Sequence, residues 1–149
     1  MKHAALLSPA VFGAFDGSTS VVGVLLTLAG HPAQVVPTSL GLAVAGGVGM
    51  AAGQWLSADT DAGLPDAVVI GAATAAGTML PALPYALLTG AAAIGASTVV
   101  LLLLGALITA VRAHDPARTW ARAAAETYGV LAAVCAAVAV CTLATGATG

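Results

Sequence analysis

Asp16 is the only charged side chain inside a long apolar stretch, FGAFDGSTSVVGVLL, residues 12–26. Holding a carboxylate at membrane depth costs about 2.5–3.5 kcal/mol on insertion scales, so such a group faces a protein interior or a wet path and serves a purpose there. Ser20, Gly23 and Thr27 follow at i+4, i+7 and i+11, which places all four on one polar stripe of a helix. A second set, Gly46, Met50 and Gln54, recurs at i, i+4 and i+8 in the next apolar segment. If the two segments are antiparallel helices, Asp16 and Met50 come to one level, with Gln54 nearer the helix end. A carboxylate oxygen beside a thioether sulfur suits a first-row divalent metal better than Mg²⁺ or Ca²⁺, which take oxygen ligands. One Asp and one Met are too few ligands, and a two-fold dimer doubles them. Metal binding needs the deprotonated carboxylate and releases its proton. Alternating access at such a group therefore exchanges metal for protons. Two plainer roles compete: Asp16 as the cap of a helix that begins at Gly17, and Met50 as packing.

These residues must be held by membrane spans. Of the 149 residues 60% are hydrophobic and only 7% charged, with a mean hydropathy of +1.03. A soluble domain has about 25% charged residues, so this inventory cannot build a surface that faces water on all sides. The chain reads as an all-α integral membrane protein, a single transmembrane domain over residues 1–149. The nine charges besides Asp16 lie at the N-terminus (Lys2), in short polar segments (Asp59, Asp61, Asp66, Arg112, Asp115, Arg118), or at the start of the last span (Arg122, Glu126). Their net value of −2 says less than their placement. An Asp inside the first apolar run argues against a cleaved signal peptide.

A helix needs about 20 apolar residues to cross the hydrocarbon core. The first two spans are read at 12–29 and 35–56, separated by GHPAQVVP and closed by the polar loop SADTDAGLPD. From Ala67 to Val111 there are 45 residues without a charge, enough for two helices. LPALPY (residues 80–85) breaks that run, because each proline lacks an N–H and disfavours helix in its predecessor. Spans at 67–83, 87–111 and 123–145 complete a five-helix topology. All four Lys and Arg then fall on one side, which predicts a cytoplasmic N-terminus and an outside C-terminus. Gly41, Ala45, Gly49 and Gly53 form an i, i+4 row of small residues that lets helices approach closely. Cys135 and Cys141 project about 120° apart on one helix and read as small apolar residues. His3, His31 and His114 lack i+3 or i+4 partners and read as surface residues. Arg118, Arg122 and Glu126 suggest an Arg122–Glu126 pair, with Arg118 near lipid phosphates. Catalytic triads, phosphate loops, HExxH and nucleic-acid motifs are absent, so no enzyme is expected and no cofactor is permanently bound.

The motifs FDGSTSVVGVLLTLAG (15–30), AGGVGMAAGQWLSADTD (45–61) and GTMLPALPYAL (77–87) resemble those of the vacuolar iron transporter family, five-helix proteins that work as homodimers. The resemblance implies Fe²⁺ or Mn²⁺ export from the cytoplasm coupled to proton import, along a path at the dimer interface. It maps the intramembrane acid onto Asp16 and the pathway methionine onto Met50, and Gly13 and Gly17 then join the Gly41–Gly53 row in setting helix approach. Three departures accompany it. The Glu-rich cytoplasmic domain of strong iron transporters is replaced by SADTDAGLPD, whose Asp59, Asp61 and Asp66 attract cations weakly at best. Gln54 stands where many bacterial relatives have Glu, and Leu42 where plant-type relatives have an acid. The reduced ligand charge leaves two alternatives: a same-fold transporter of a non-metal solute, or a non-transporting partner or scaffold subunit. The expected partners are the lipid bilayer, a second copy, divalent metal and protons, and not nucleic acid. The Ala, Gly and Val bias points to a bacterial plasma membrane.

Overall fold

The computed structural model describes residues 2–58 and 63–145. Asp59 and Asp61 lie outside the described residues. The helices are α1 (Lys2–Thr27), α2 (Pro32–Ser57), α3 (Gly63–Ala82), α4 (Pro84–Leu87), α5 (Gly90–Arg112) and α6 (Trp120–Thr145), with no strand among the described residues. Five segments are long and apolar enough to cross a membrane: Leu6–Thr27, Pro32–Ser57, Gly63–Leu87, Gly90–Arg112 and Trp120–Thr145.

Two helix starts differ from the sequence reading, and both bear on the site. The first apolar span begins at Leu6 rather than 12, so Asp16 lies about 15 Å inside its start at 1.5 Å per residue. Asp16 is thus a mid-helix residue and does not cap a helix begun at Gly17. α3 begins at Gly63 rather than 67. Pro65 fits the first turn of a helix, where its missing N–H has no intrahelical partner to lose, and Asp66 follows where the helix dipole favours an acid. At the far end of α3 the break falls at Leu83, immediately before Pro84, which opens the single turn of α4.

α3 is the central helix, packed along both α1 and α2, which touch each other far less. The approach is between backbones. A Cβ placed on Gly13 would strike the Ile70 carbonyl, and one on Gly17 the Thr74 carbonyl. A Cβ on Gly47 would lie 2.8 Å from the Gly71 oxygen. Small residues drive such packing in lipid, because burying apolar side chains gains little there. Beyond these contacts, the hydroxyl of buried Thr78 donates to the Gly17 carbonyl at 3.3 Å and to its own Thr74 carbonyl at 2.9 Å. One end of the bundle is closed by the apolar cluster Val21, Leu25, Val35 and Ala82, with Tyr85 and Leu101 packed against it. The opposite end carries the polar and charged residues.

Candidate functional site

At that charged end α1, α2 and α3 enclose a cavity of about 610 Å³, lined by Ser8 and Phe12 of α1, Met50 and Gln54 of α2, and Asp66 and Ile70 of α3. The antiparallel order of the three helices brings these residues together: the start of α1 meets the end of α2 and the start of α3. Met50, Gln54 and Asp66 are all half-buried. A thioether, an amide and a carboxylate therefore share one wet recess.

Asp16 does not line this cavity. It lies one helical turn, about 6 Å, beyond Phe12 on the same stripe of α1. Gly13 and Gly17 on either side of it rest against Thr74, and a Cβ on Gly46 of α2 would lie 3.5 Å from the Thr74 methyl. Asp16 is therefore near the level of Gly46, and Met50 sits one turn closer to the charged end. The equal depth expected of Asp16 and Met50 becomes a stagger of about one turn, because the first span starts earlier than the sequence reading placed it.

The Asp16 side chain is half-buried. Among the described residues no ion pair reaches it; the ion pairs join Arg112, Asp115, Arg118, Arg122 and Glu126. Its stripe faces the outside of the protomer: Ser20 and Thr27 are exposed and Gly23 is half-buried. Thr27 donates to the Gly23 carbonyl at 2.7 Å, and Thr19 to the Asp16 carbonyl at 3.0 Å, so these hydroxyls bond within their own helix.

The α2 row Gly41, Ala45, Gly49 and Gly53 is also exposed, and nothing in the protomer lies within 4 Å of a Cβ built on any of its three glycines. Within the protomer α2 packs through a different row, Val35, Ser39, Ala43 and Gly47. The small residues assigned to helix approach thus divide: Gly13 and Gly17 pack inside the protomer, and the Gly41–Gly53 row faces outward.

Asp66 is the residue that the sequence reading undervalued, leaving it in a solvated loop. A Pro-Asp pair directly before an apolar run is a helix-start signal and could have moved it onto α3. Among the described residues no group of three or more His, Cys, Asp or Glu converges as metal ligands would. A metal held by one protomer would have to use Met50, Gln54, backbone carbonyls or water beside its acids.

The model of the VIT family matches residues 7–65, the stretch that contains α1, α2, Asp16, Met50 and Gln54. No curated protein and no solved structure matches the chain.

Proposed function

The match over residues 7–65 supports membership of the VIT family, and from that premise we propose that the protein is a membrane transporter exporting a divalent transition metal, Fe²⁺ or Mn²⁺, from the cytoplasm in exchange for protons. The observation that carries this reading is a mid-span carboxylate, Asp16, with no ion-pair partner among the described residues, one turn beyond a recess that holds Met50, Gln54 and Asp66. Lone intramembrane acids mark ion paths and proton relays.

In this mechanism the recess faces the cytoplasm, as the placement of the Lys and Arg residues requires. Asp66 and Gln54 take up the ion at the mouth, and Met50 supplies a soft ligand that disfavours Mg²⁺ and Ca²⁺. Asp16 binds metal and proton in turn. The apolar cluster around Val21, Leu25, Val35 and Ala82 closes the route beyond it, and transport requires that seal to open. A second copy on the exposed Gly41–Gly53 face, in a homodimer, would complete the ligand set and cover the outward stripe of α1.

The absence, among the described residues, of a convergent group of His, Cys, Asp or Glu favours a second reading, a same-fold carrier of a small organic cation. Flux of Fe²⁺ and Mn²⁺ into proteoliposomes under a pH gradient separates the two. Metal flux driven by the gradient supports the first reading. Folded protein that moves neither metal, yet dissipates a pH gradient with an organic cation in an Asp16-dependent way, supports the second.

A further inference from the structure

A second and larger cavity, of about 980 Å³, opens at the charged end between α1, α5 and α6. It is separate from the recess of Met50 and Gln54 and does not depend on the transport reading. Its walls are of two kinds. Leu7 and Phe15 of α1, Ile108 of α5 and Val130 of α6 form an apolar lower wall, while Arg112 and Arg118 lie at the polar upper part.

The arginines are organised by one acid. Glu126 accepts from Arg118 at 2.8 Å and from Arg122 at 2.9 Å, and it also accepts from Arg112. Arg112 donates in addition to the Thr127 hydroxyl at 3.2 Å. Three guanidinium groups face two carboxylates here, counting Asp115, which lies 3.6 Å from Arg118. One positive charge is left over. Each guanidinium has five N–H donors, and the bonds above use only two on Arg112 and one on Arg118. Glu126 thus holds two guanidinium groups in place without exhausting their capacity to bind an anion.

The position selects the anion. Arg112 ends one span and Trp120 begins the next, so the cluster sits at the membrane–water boundary, where lipid phosphates lie. A phosphate there is followed by acyl chains directed toward the apolar wall below. Basic pockets between membrane helices recognise anionic headgroups in this way. We propose that this cavity is a binding site for one anionic phospholipid per protomer, its phosphate on Arg112 and Arg118 and an acyl chain along Leu7, Phe15, Ile108 and Val130.

Native mass spectrometry of the full chain, released from vesicles of equal phosphatidylglycerol and phosphatidylcholine, tests the proposal. The expected result is selective retention of one phosphatidylglycerol per protomer. Arg118→Gln, which keeps Arg112 on Glu126, should weaken that retention about fivefold, the effect of one basic residue near an anionic headgroup. Val130→Phe keeps every charge and fills the apolar wall; it should reduce phosphatidylglycerol retention as well, and it decides the matter if Arg118→Gln does not fold. Equal retention of the two lipids overturns the proposal. So does retention unchanged in a folded Val130→Phe protein, or full displacement of the lipid by inorganic phosphate at equal concentration, which would make the site one for a free anion.

Discussion

The two halves of the molecule are held together by different physics. In α1–α3 the helices meet backbone to backbone through Gly13, Gly17, Gly47 and Gly71, and 44% of the α3 span is buried. In α5–α6 the contacts are made by side chains: the Tyr128 ring lies over Gly105, the Tyr128 hydroxyl donates to the Leu102 carbonyl at 2.9 Å, and Arg112 reaches Glu126. Only 11% of the α6 span is buried, so most of it is left for lipid or another chain. The tight half contains the intramembrane acid and is the half that the VIT family model reaches. The difference teaches that a rigid frame has been built around the polar path, while the loosely joined pair leaves room for a lipid-sized cavity.

The most damaging way to break the tight half is Gly17→Ala. The new methyl group would strike the Thr74 carbonyl, and neither backbone can yield cheaply, so a loss of about 3 kcal/mol or more is expected. Thermal stability in detergent measures it, with Gly23→Ala on the same helix as the control. Nothing surrounds Gly23, so its change should stay within about 0.5 kcal/mol. Equal losses at the two positions would remove the claimed distinction between glycines that pack and glycines that do not.

Glu126→Gln sharpens the other side of the comparison. It withdraws the common partner of Arg112, Arg118 and Arg122, and α5 and α6 should separate before α1–α3 melts. Hydrogen exchange should show faster opening confined to α5 and α6. Uniform loosening of all helices would mean that the two halves are one cooperative unit.

A smaller effect on folding is expected on the outer face. Gly49→Leu places a large side chain where the protomer has open space, so the monomer should keep its stability and the dimer should be lost, as read by light scattering. Met50→Leu conserves volume and should cost under about 1.5 kcal/mol of stability. Its metal flux should nevertheless fall, and its preference over Mg²⁺ should narrow, because the sulfur is gone.

Much of this was legible in the sequence. The number of spans followed from hydropathy, and the break at LPALPY fell where two prolines remove donors and restrict their neighbours. Asp16 stood out because one charge among apolar residues is expensive in lipid. The start of α1 was misread because Pro9 resembles a helix boundary, although it lies inside the helix. The packing face of α2 was not legible for a physical reason. In lipid, polarity does not distinguish a buried face from an exposed one, and α2 has small residues in both the Val35–Gly47 and the Gly41–Gly53 rows. Only the partner helix decides between them. Likewise, the i+4 spacing showed the Arg122–Glu126 pair, whereas the arrival of Arg112 from another helix depended on tertiary structure.

The central claim is that Asp16 is the exchanging group. The most direct measurement is Fe²⁺ and Mn²⁺ flux into proteoliposomes under an imposed pH gradient, with internal pH recorded at the same time, for wild type and Asp16→Asn. Asn has nearly the shape of Asp but neither releases a proton nor carries a charge. Gradient-driven metal flux with matching proton movement in wild type, and loss of both in a folded Asp16→Asn protein, is the predicted result. Undiminished coupled flux in Asp16→Asn would contradict it.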